Sequence, residues 1–293
     1  MKIKCSNCGN QIDFDSIFCK FCGEKIITPN VVNTPEEKQL KAIFSAVYNS
    51  LLKYSDYSKD EFDKEFDSFK RFENRVLTDD QYYQLLVDVM FYSGFKASTV
   101  TKHRDQIHLH FPNIETVTHY TQKDIDLIAN DPMMIKHSLK IEGCINNAKH
   151  FKRIIINHGS FAKYIQSFGD LTSETSLQKL KSELKNTFAY LGDKTVNHFM
   201  MDIGLNVLKP DRVLLRIFSR LGLITDETDM QGAIKAGRSF SDATGFPIRY
   251  IDVIFVLYGQ LDQNKITSIC TEKNPKCDIC EARIFCSYSK KTA

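Results

Sequence analysis

The sequence predicts an all-α body with a cysteine-rich segment at each end. Apolar residues recur at helical spacing along most of the chain, and the body shows no convincing strand alternation. Of the nine cysteines, four lie near each terminus and Cys144 lies alone between them. We interpret Cys144 as a small apolar residue of the core. We therefore expect a zinc ribbon at 1–26, a linker at 27–36, a helical domain at 37–265 and a cysteine loop at 266–293.

The composition is that of an ordinary globular protein. Of the 293 residues 42% are hydrophobic and 26% are charged, and the net charge is only +3, so any binding of nucleic acid must come from a local basic patch. The most apolar run, Tyr250–Tyr258, is short and contains Asp252, so we expect no membrane span. With no leader pattern at Met1, we expect a cytoplasmic monomer whose cysteines bind metals and form no disulfides.

Two CxxCG knuckles occupy the N-terminal segment. Their cysteines are Cys5, Cys8, Cys19 and Cys22. Four thiolates are the donor set of a closed tetrahedral zinc site, and a segment this short needs the metal's binding energy to fold. The pattern resembles the small zinc ribbons of many bacterial proteins. We expect a structural zinc, with either nucleic acid or a protein as the ribbon's partner.

The helical domain begins after the linker. Thr34-Pro35-Glu36-Glu37 has the pattern of a capping box with proline at the first helical position. Helical spacing then predicts helices at Leu40–Leu52, Asp79–Tyr92, Thr99–Ile107, Tyr120–Ile128 and His137–His158.

Residues 186–222 (NTFAYLGDKTVNHFMMDIGLNVLKPDRVLLRIFSRLG) form the stretch around which the domain is organised. They read as helix, tight turn, helix, loop and helix. Gly192 supplies the turn, where a residue without Cβ can take positive φ. Lys194 opens the second helix, whose N–H groups would attract a phosphate. Pro210 begins the third helix, with Asp211 in its first turn.

This stretch resembles the hairpin of the helix-hairpin-helix DNA glycosylase superfamily, which contains endonuclease III and 3-methyladenine glycosylase. Upstream, LLVDVMFYSGFKASTVTKHRDQI, DIDLIANDPMMIKHSLKIEGCINNAKHF and GSFAKYIQSF resemble successive blocks of DNA-3-methyladenine glycosylase I. The similarity covers most of residues 80–222. It implies a helix-hairpin-helix DNA glycosylase fold and, as the substrate, double-stranded DNA that contains a damaged base.

The resemblance also implies roles for residues of the hairpin. In the superfamily the hairpin grips the DNA backbone, which here involves Gly192, Lys194 and Thr195. An aspartate shortly after it assists cleavage of the base–sugar bond, a role that falls on Asp211; the alternative is a carboxylate that only favours its helix dipole. GDKTV resembles the segment of endonuclease III whose lysine attacks the sugar. Lys194 is therefore either a Schiff-base nucleophile for an associated lyase step or, as we favour, a phosphate contact.

The chain departs from DNA-3-methyladenine glycosylase I at several positions. Val89 stands where that family has a base-reading glutamate, with Asp88 beside it. The chain has no tryptophan, although the family has pocket tryptophans, and the family's zinc ligands are not recognisable. Tyr190 occupies the place of the first hairpin glycine. The resemblance therefore implies the fold without specifying the base.

Candidate pocket residues follow the helix predicted at Asp79–Tyr92. Phe91, Tyr92 and Phe95 are aromatic residues that either stack on a flipped base or belong to the core. The break at Ser93-Gly94 favours Phe95 as the exposed residue that contacts DNA. Lys140 and Glu142 are either polar groups of the pocket or, as we favour, a surface salt bridge.

Four cysteines near the C-terminus follow the spacing C-x6-C-x2-C-x5-C. They are Cys270, Cys277, Cys280 and Cys286. Four thiolates hold either zinc or an iron–sulfur cluster, and this asymmetric spacing resembles the 4Fe–4S loop of endonuclease III. We expect a 4Fe–4S cluster within a loop whose basic residues either face DNA phosphates or are solvated tail charges.

These observations predict a DNA repair glycosylase that flips out and excises a damaged base, with an alkylated purine as the expected base. Asp211 would stabilise the positive charge that develops on the sugar and act as general base. The alternatives are a protein that binds damaged DNA without cleaving it and a redox-sensing iron–sulfur protein.

Overall fold

The computed structural model describes residues 2–4, 8, 11–13, 34–70, 77–260, 262 and 265–292. The chain divides into two compact units, Met1–Gln39 and Leu40–Ala293. In the first unit, strands β1 (Lys2–Lys4) and β2 (Gln11–Asp13) pair antiparallel, with Ile3 opposite Ile12. Cys8 is exposed. The expected zinc ligands Cys5, Cys19 and Cys22 lie outside the described residues.

The predicted all-α body is confirmed in the part of the chain described from residue 34 onward. Its helices are α1 Pro35–Lys53, α2 Lys59–Lys70, α3 Asp79–Tyr92, α4 Ala97–His110, α5 Ile114–Thr118, α6 Gln122–Asn130, α7 Ser138–His158, α8 Phe161–Gln166, α9 Glu174–Thr187, α10 Thr195–Asp202, α11 Arg212–Leu221, α12 Met230–Thr244, α13 Ile248–Gly259 and α14 Ser287–Thr292. Two short 3₁₀ turns, Cys277–Ile279 and Glu281–Phe285, lie between α13 and α14.

Local capping explains where several of these helices begin. At α1 the predicted capping box is present, because Thr34 N donates to Glu37 Oε2 over 2.7 Å and Glu37 N donates to Thr34 Oγ1 over 3.1 Å. A second capping box, between Thr78 and Gln81, begins α3. These side chains accept N–H groups that the first turn of a helix leaves without a partner.

The second unit contains two hydrophobic cores. The first is built by α3 to α10 around fully buried aromatic residues such as Phe91, Phe151 and Phe161. The second is built by α1, α2 and α11 to α13 around residues such as Phe218 and Phe255. Each helix therefore buries one apolar face, and α10 lies where the two cores meet, since Val196 packs in the first core and Met201 in the second.

Within the described residues, no helix combines the length and the apolar character that crossing a membrane requires.

Candidate active site

A hairpin joins α9 to α10, and the hydroxyl of Thr195 closes it. Thr195 Oγ1 donates to the carbonyl of Tyr190 over 2.7 Å and accepts the N–H of Gly192 over 2.7 Å. Lys194 is exposed at the start of α10, and Lys185 pairs with Asp193 at the tip. The predicted helix, turn and helix are therefore present, but the Gly192 N–H and the Thr195 hydroxyl bond to each other inside the hairpin.

The left-handed residue of the hairpin is Tyr190 and not, as the sequence predicted, Gly192. Tyr190 has a φ of 66°, a conformation that glycine adopts without strain and larger residues adopt at some cost. The hairpin thus keeps the backbone shape of a glycine turn even though a tyrosine stands there. A Cβ added at Gly192 would meet nothing nearer than Thr195 Oγ1 at 3.9 Å, so intramolecular packing does not demand a glycine at that position.

Asp211 is the N-cap of α11. The sequence predicted a helix that begins at Pro210 with Asp211 in its first turn, but the helix begins two residues later, at Arg212. The reason is local: Asp211 Oδ1 accepts the N–H groups of Val213 over 2.9 Å and of Leu214 over 3.0 Å. These two bonds fix the carboxylate at the positive end of the helix.

Asp211 lines a cleft of about 670 Å³ between the two cores. One wall comes from α3, α4 and α10, and the other comes from α2 and α13. The polar residues of the lining are Asp88, Tyr92, Arg104, His198, Asp202, Lys209, Asp211, Arg249, Asp252 and Gln260. The volume is in the range of pockets that bind small organic groups. Lys194, Gly192 and Phe95, although described, are not part of this lining.

On the first wall, Asp88 is held by Arg104 and His108. Arg104 Nη2 donates to Asp88 Oδ2 over 2.7 Å, and His108 Nε2 lies 2.8 Å from Asp88 Oδ1. Burial would raise the pKa of Asp88, but the contacts with His108 and Arg104 outweigh it and lower the pKa. The adjacent Val89, which stands where the resembled family has a base-reading glutamate, is fully buried and is not part of the lining of this cleft.

On the opposite wall, Arg249 lies between two buried carboxylates. Its Nη1 donates to Asp252 Oδ2 over 2.5 Å, and its Nε lies 3.8 Å from Asp202 Oδ1. The other oxygen of Asp202 lies 3.1 Å from His198 Nε2. Burial would raise the pKa of Asp202, but the charges of His198 and Arg249 outweigh it and lower the pKa.

The pKa of Asp252 is shifted in the opposite direction to that of Asp202. Burial raises the pKa of Asp252 to about 6, with Arg249 opposing the rise and Asp211 adding to it. The Oδ1 atoms of Asp252 and Asp202 are buried and have no hydrogen-bond partner among the described residues. A buried acceptor left in this state costs about 1–3 kcal/mol. In the sequence, the only signal for Asp252 is its place as the acid inside the most apolar run, Tyr250–Tyr258.

The aromatic candidates separate into three environments. Phe91 is fully buried in the first core, whereas Tyr92 is half-buried and lines the cleft. Phe95 was expected to be the exposed residue, but it is half-buried, and its ring centroid lies 6.0 Å from that of His137. Phe95 packs on the first core, and its ring centroid lies 5.3 Å from Nζ of Lys140 on α7. Of these three candidates, Tyr92 is the one that lines the cleft, which Phe69 of α2 lines as well.

Lys140 is buried, and the predicted surface salt bridge with Glu142 is wrong. Lys140 is 3% exposed, and its Nζ donates to the carbonyls of Met90 and Ser93, the latter over 2.6 Å. Its Nζ also lies 4.8 Å from the ring centroid of Tyr190. Burial lowers the pKa of Lys140. The ammonium group thus supplies donors to the C-terminal carbonyls of α3.

The four C-terminal cysteines line one pocket, together with Arg220 and Tyr258. Arg220 Nη1 donates to Cys270 Sγ over 3.3 Å, and the Tyr258 hydroxyl lies 2.7 Å from Cys280 Sγ. Across the described residues, no three His, Cys, Asp or Glu side chains are grouped so as to hold a metal ion. The four sulfurs share a cavity, and three of them have a polar neighbour, since Cys286 Sγ donates to the carbonyl of Arg220 over 3.3 Å. Four thiolates are a donor set that fits either zinc or an iron–sulfur cluster.

Two family models match the chain. Residues 73–209 match the methyladenine glycosylase model, and residues 1–26 match a zinc-ribbon model. The resemblance inferred from the sequence is therefore confirmed for both regions.

A curated relative and several solved structures are similar to the chain. The DNA-3-methyladenine glycosylase of Haemophilus influenzae is 26% identical over 170 residues, which cover 52% of this chain and 86% of that protein. The 3-methyladenine DNA glycosylase I of Staphylococcus aureus is 22% identical, with a TM-score of 0.41 over 53% of this chain and 91% of that one. An endonuclease III trapped on DNA is 15% identical, with a TM-score of 0.49 over 87% of this chain and 98% of that one. These proteins are DNA glycosylases or their relatives.

Proposed function

We propose that this chain is a DNA glycosylase that hydrolyses the bond between a damaged base and its deoxyribose, with Asp211 as the residue that assists the cleavage. The observation that carries the proposal is the position of Asp211, which lines the cleft between the two cores while its Oδ1 is fixed by two backbone N–H groups. The homologues are enzymes of this class.

The chemistry requires a carboxylate at such a place. When the bond to the base breaks, positive charge develops on the sugar, and a fixed negative group beside it stabilises the transition state. The same group orients water and accepts its proton. Because one oxygen of Asp211 is held by α11, the carboxylate needs little reorganisation during the reaction.

The cleft supplies the place for the extruded base. Moving a base out of the duplex costs a few kcal/mol of lost stacking and pairing free energy. Stacking of the base on an aromatic side chain such as Tyr92, which lines the cleft, would offset part of this cost. We propose an alkylated purine as the base, because an alkylated purine is cationic and leaves with little acid assistance. Carboxylates on both walls of the cleft suit such a base.

We propose that the hairpin holds the DNA backbone. Lys194 is exposed at the start of α10, and Gly192 has no internal packing reason to be a glycine, so a close approach from outside would account for it. Lys194 does not line the cleft of Asp211. This arrangement favours a phosphate contact for Lys194 over a Schiff-base nucleophile. Borohydride should therefore trap no covalent complex between the protein and an abasic duplex, and a trapped adduct that Lys194→Ala abolishes would establish the lyase step.

The decisive experiment measures release of free bases from alkylated, deaminated and oxidised duplex DNA. Asp211→Asn keeps the N-cap, since asparagine caps helices as well as aspartate does. We expect it to bind the same DNA but to release base about 10²–10⁴ times more slowly. Asp229→Asn is the matched control, because Asp229 caps α12 through Gly232 N and does not line the cleft.

The outcomes separate the competing functions. Unchanged release by Asp211→Asn would refute the role of this carboxylate. A wild-type protein that binds damaged duplexes but releases no base from any of them would be a binding protein.

We also propose that residues 266–293 hold a 4Fe–4S cluster through Cys270, Cys277, Cys280 and Cys286, and that residues 1–26 hold zinc. The cluster would keep the cysteine loop in shape; the reaction itself uses residues of the cleft. The purified protein should be brown, absorb at about 400 nm and contain four irons per zinc. A colourless protein with two zinc ions would contradict the assignment. Cys277→Ser should remove the colour, and Cys144→Ser, at a buried position outside this pocket, should keep it.

A further inference from the structure

The cleft contains buried carboxylate acceptors that the cleavage step described above does not use. Asp252 comes from α13 and is 3% exposed, and Asp202 comes from α10 and is 9% exposed. Both residues line the same cleft as Asp211. Their Oδ1 atoms have no hydrogen-bond partner within the described residues, although the structure holds their Oδ2 atoms with Arg249 and His198. Such buried polar atoms are uncommon and call for an explanation.

The partners of these carboxylates fix which oxygen is available. Arg249 occupies Asp252 Oδ2 from one turn away on the same helix, so the Oδ1 atom is the one left for another donor. His198 occupies Asp202 Oδ2, and Asp202 Oδ1 lies 3.8 Å from Arg249 Nε, which is an ion-pair distance and not a hydrogen bond. A ligand that enters the cleft and presents N–H groups would therefore satisfy acceptors that the protein leaves open.

We propose that Asp252, with Asp202 beside it, reads an N–H donor on the edge of the extruded base. The inference rests on the proposed function, in that it assumes a base in the cleft, and it names a feature of the substrate: an exocyclic amino group. Asp252 would then contact the base in place of a residue on α3. On α3, Val89 is buried and Asp88 is already held by Arg104 and His108. An oxo group at the same point on the base would face a negative oxygen and be rejected.

The charges around Asp252 determine when it acts as an acceptor. Arg249 is on its own helix, His198 and Asp202 come from α10, and Lys209 and Asp211 come from the loop before α11. Because burial raises the pKa of Asp252 to about 6, the carboxyl is an ionised acceptor above that pH and is protonated below it. The preference for an amino group should therefore decline as the pH falls from about 8 to about 5.

A binding cycle with uncleavable DNA tests the proposal. Two duplexes carry a 2′-fluoro nucleotide opposite an abasic site, with adenine in one and unsubstituted purine in the other, so that they differ only in the amino group. Asp252→Asn keeps an oxygen for Arg249 and replaces the unpartnered Oδ1 acceptor with an NH₂ group, which is a donor. We expect the wild type to prefer adenine by roughly tenfold to a hundredfold, the range for hydrogen bonds to charged groups, and the variant to lose that preference.

Asp88→Asn is the matched control. Asp88 lines the same cleft, but Arg104 and His108 already occupy its oxygens, so this change should affect both duplexes equally. Equal binding of the two duplexes by the wild type, or an equal loss for both in Asp252→Asn, would overturn the proposal.

The test also separates this inference from the proposed function. If the wild type releases no base but shows the amino preference and its loss in Asp252→Asn, the glycosylase activity fails and base reading stands. If Asp211→Asn abolishes base release while Asp252→Asn leaves the amino preference unchanged, the activity stands and base reading by Asp252 fails.

Discussion

The ionised form of Asp252 should destabilise the fold, and replacement by asparagine should reveal by how much. The folded protein holds the proton of this carboxyl up to about pH 6, whereas the unfolded chain releases it near the ordinary aspartate value of 3.8. Between these two pKa values the folded state binds more protons than the unfolded state. The free energy of unfolding therefore falls as the pH rises through this window.

The magnitude follows from the size of the pKa rise. Each pKa unit corresponds to about 1.4 kcal/mol, so a rise from 3.8 to about 6 amounts to about 3 kcal/mol. The wild type should lose about this much stability relative to Asp252→Asn between about pH 4 and pH 7. Contributions from other acids cancel in the difference, because both proteins share them.

Urea denaturation followed by circular dichroism measures this difference, since the chain contains no tryptophan to report by fluorescence. Asp202→Asn is the control of opposite sign. The pKa of Asp202 is lowered, so its ionised form stabilises the fold, and that contribution is lost as the pH falls through its folded pKa. A stability difference between the wild type and Asp252→Asn that does not change with pH would refute the reasoning.

Three further changes should have measurable effects. Asp211→Ala removes the cap together with the charge and should lower the free energy of unfolding by about 1 kcal/mol relative to Asp211→Asn; equal stability of the two variants would contradict a capping role. Lys140→Met leaves carbonyls at the end of α3 without a donor and should cost about 1–3 kcal/mol in the same assay, where an unchanged urea midpoint would argue against those bonds. Arg220→Gln removes the guanidinium that bonds to Cys270 Sγ, so the purified protein should retain less iron per chain, and a full complement of iron would be the contrary result.

The parts of the fold that the sequence predicted are those set by local interactions. The bounds of α3 agree with the prediction because a capping box begins the helix and the Ser93-Gly94 break ends it. The hairpin and Asp211 were identifiable because their pattern lies within one short stretch. The turn residue was nevertheless wrong, since spacing alone does not tell which of Tyr190 and Gly192 takes the left-handed conformation.

The parts that the sequence did not predict depend on contacts between distant segments. Lys140 was assigned to a surface salt bridge, but its partners are carbonyls of Met90 and Ser93, far away in the sequence. The environment of Asp252 depends on α13 packing beside α10, which brings Arg249 of α13 to within 3.8 Å of Asp202. An acid inside the most apolar run was a visible signal, yet its chemistry depends on which neighbours surround it.

The ten-residue helix α11 connects the cleft at its first turn with the cysteine loop at its last turn. Asp211 caps its beginning, and Arg220, near its end, donates to Cys270 Sγ and to the carbonyl of Thr271. Such a helix is about 15 Å long and behaves as a stiff rod. A shift of the cysteine loop would therefore tilt the carboxylate of Asp211 at the other end, and a damaged loop would look in a kinetic assay like loss of the role proposed for Asp211. Cysteine variants of this protein should be judged first by the position of α11 and only then by turnover.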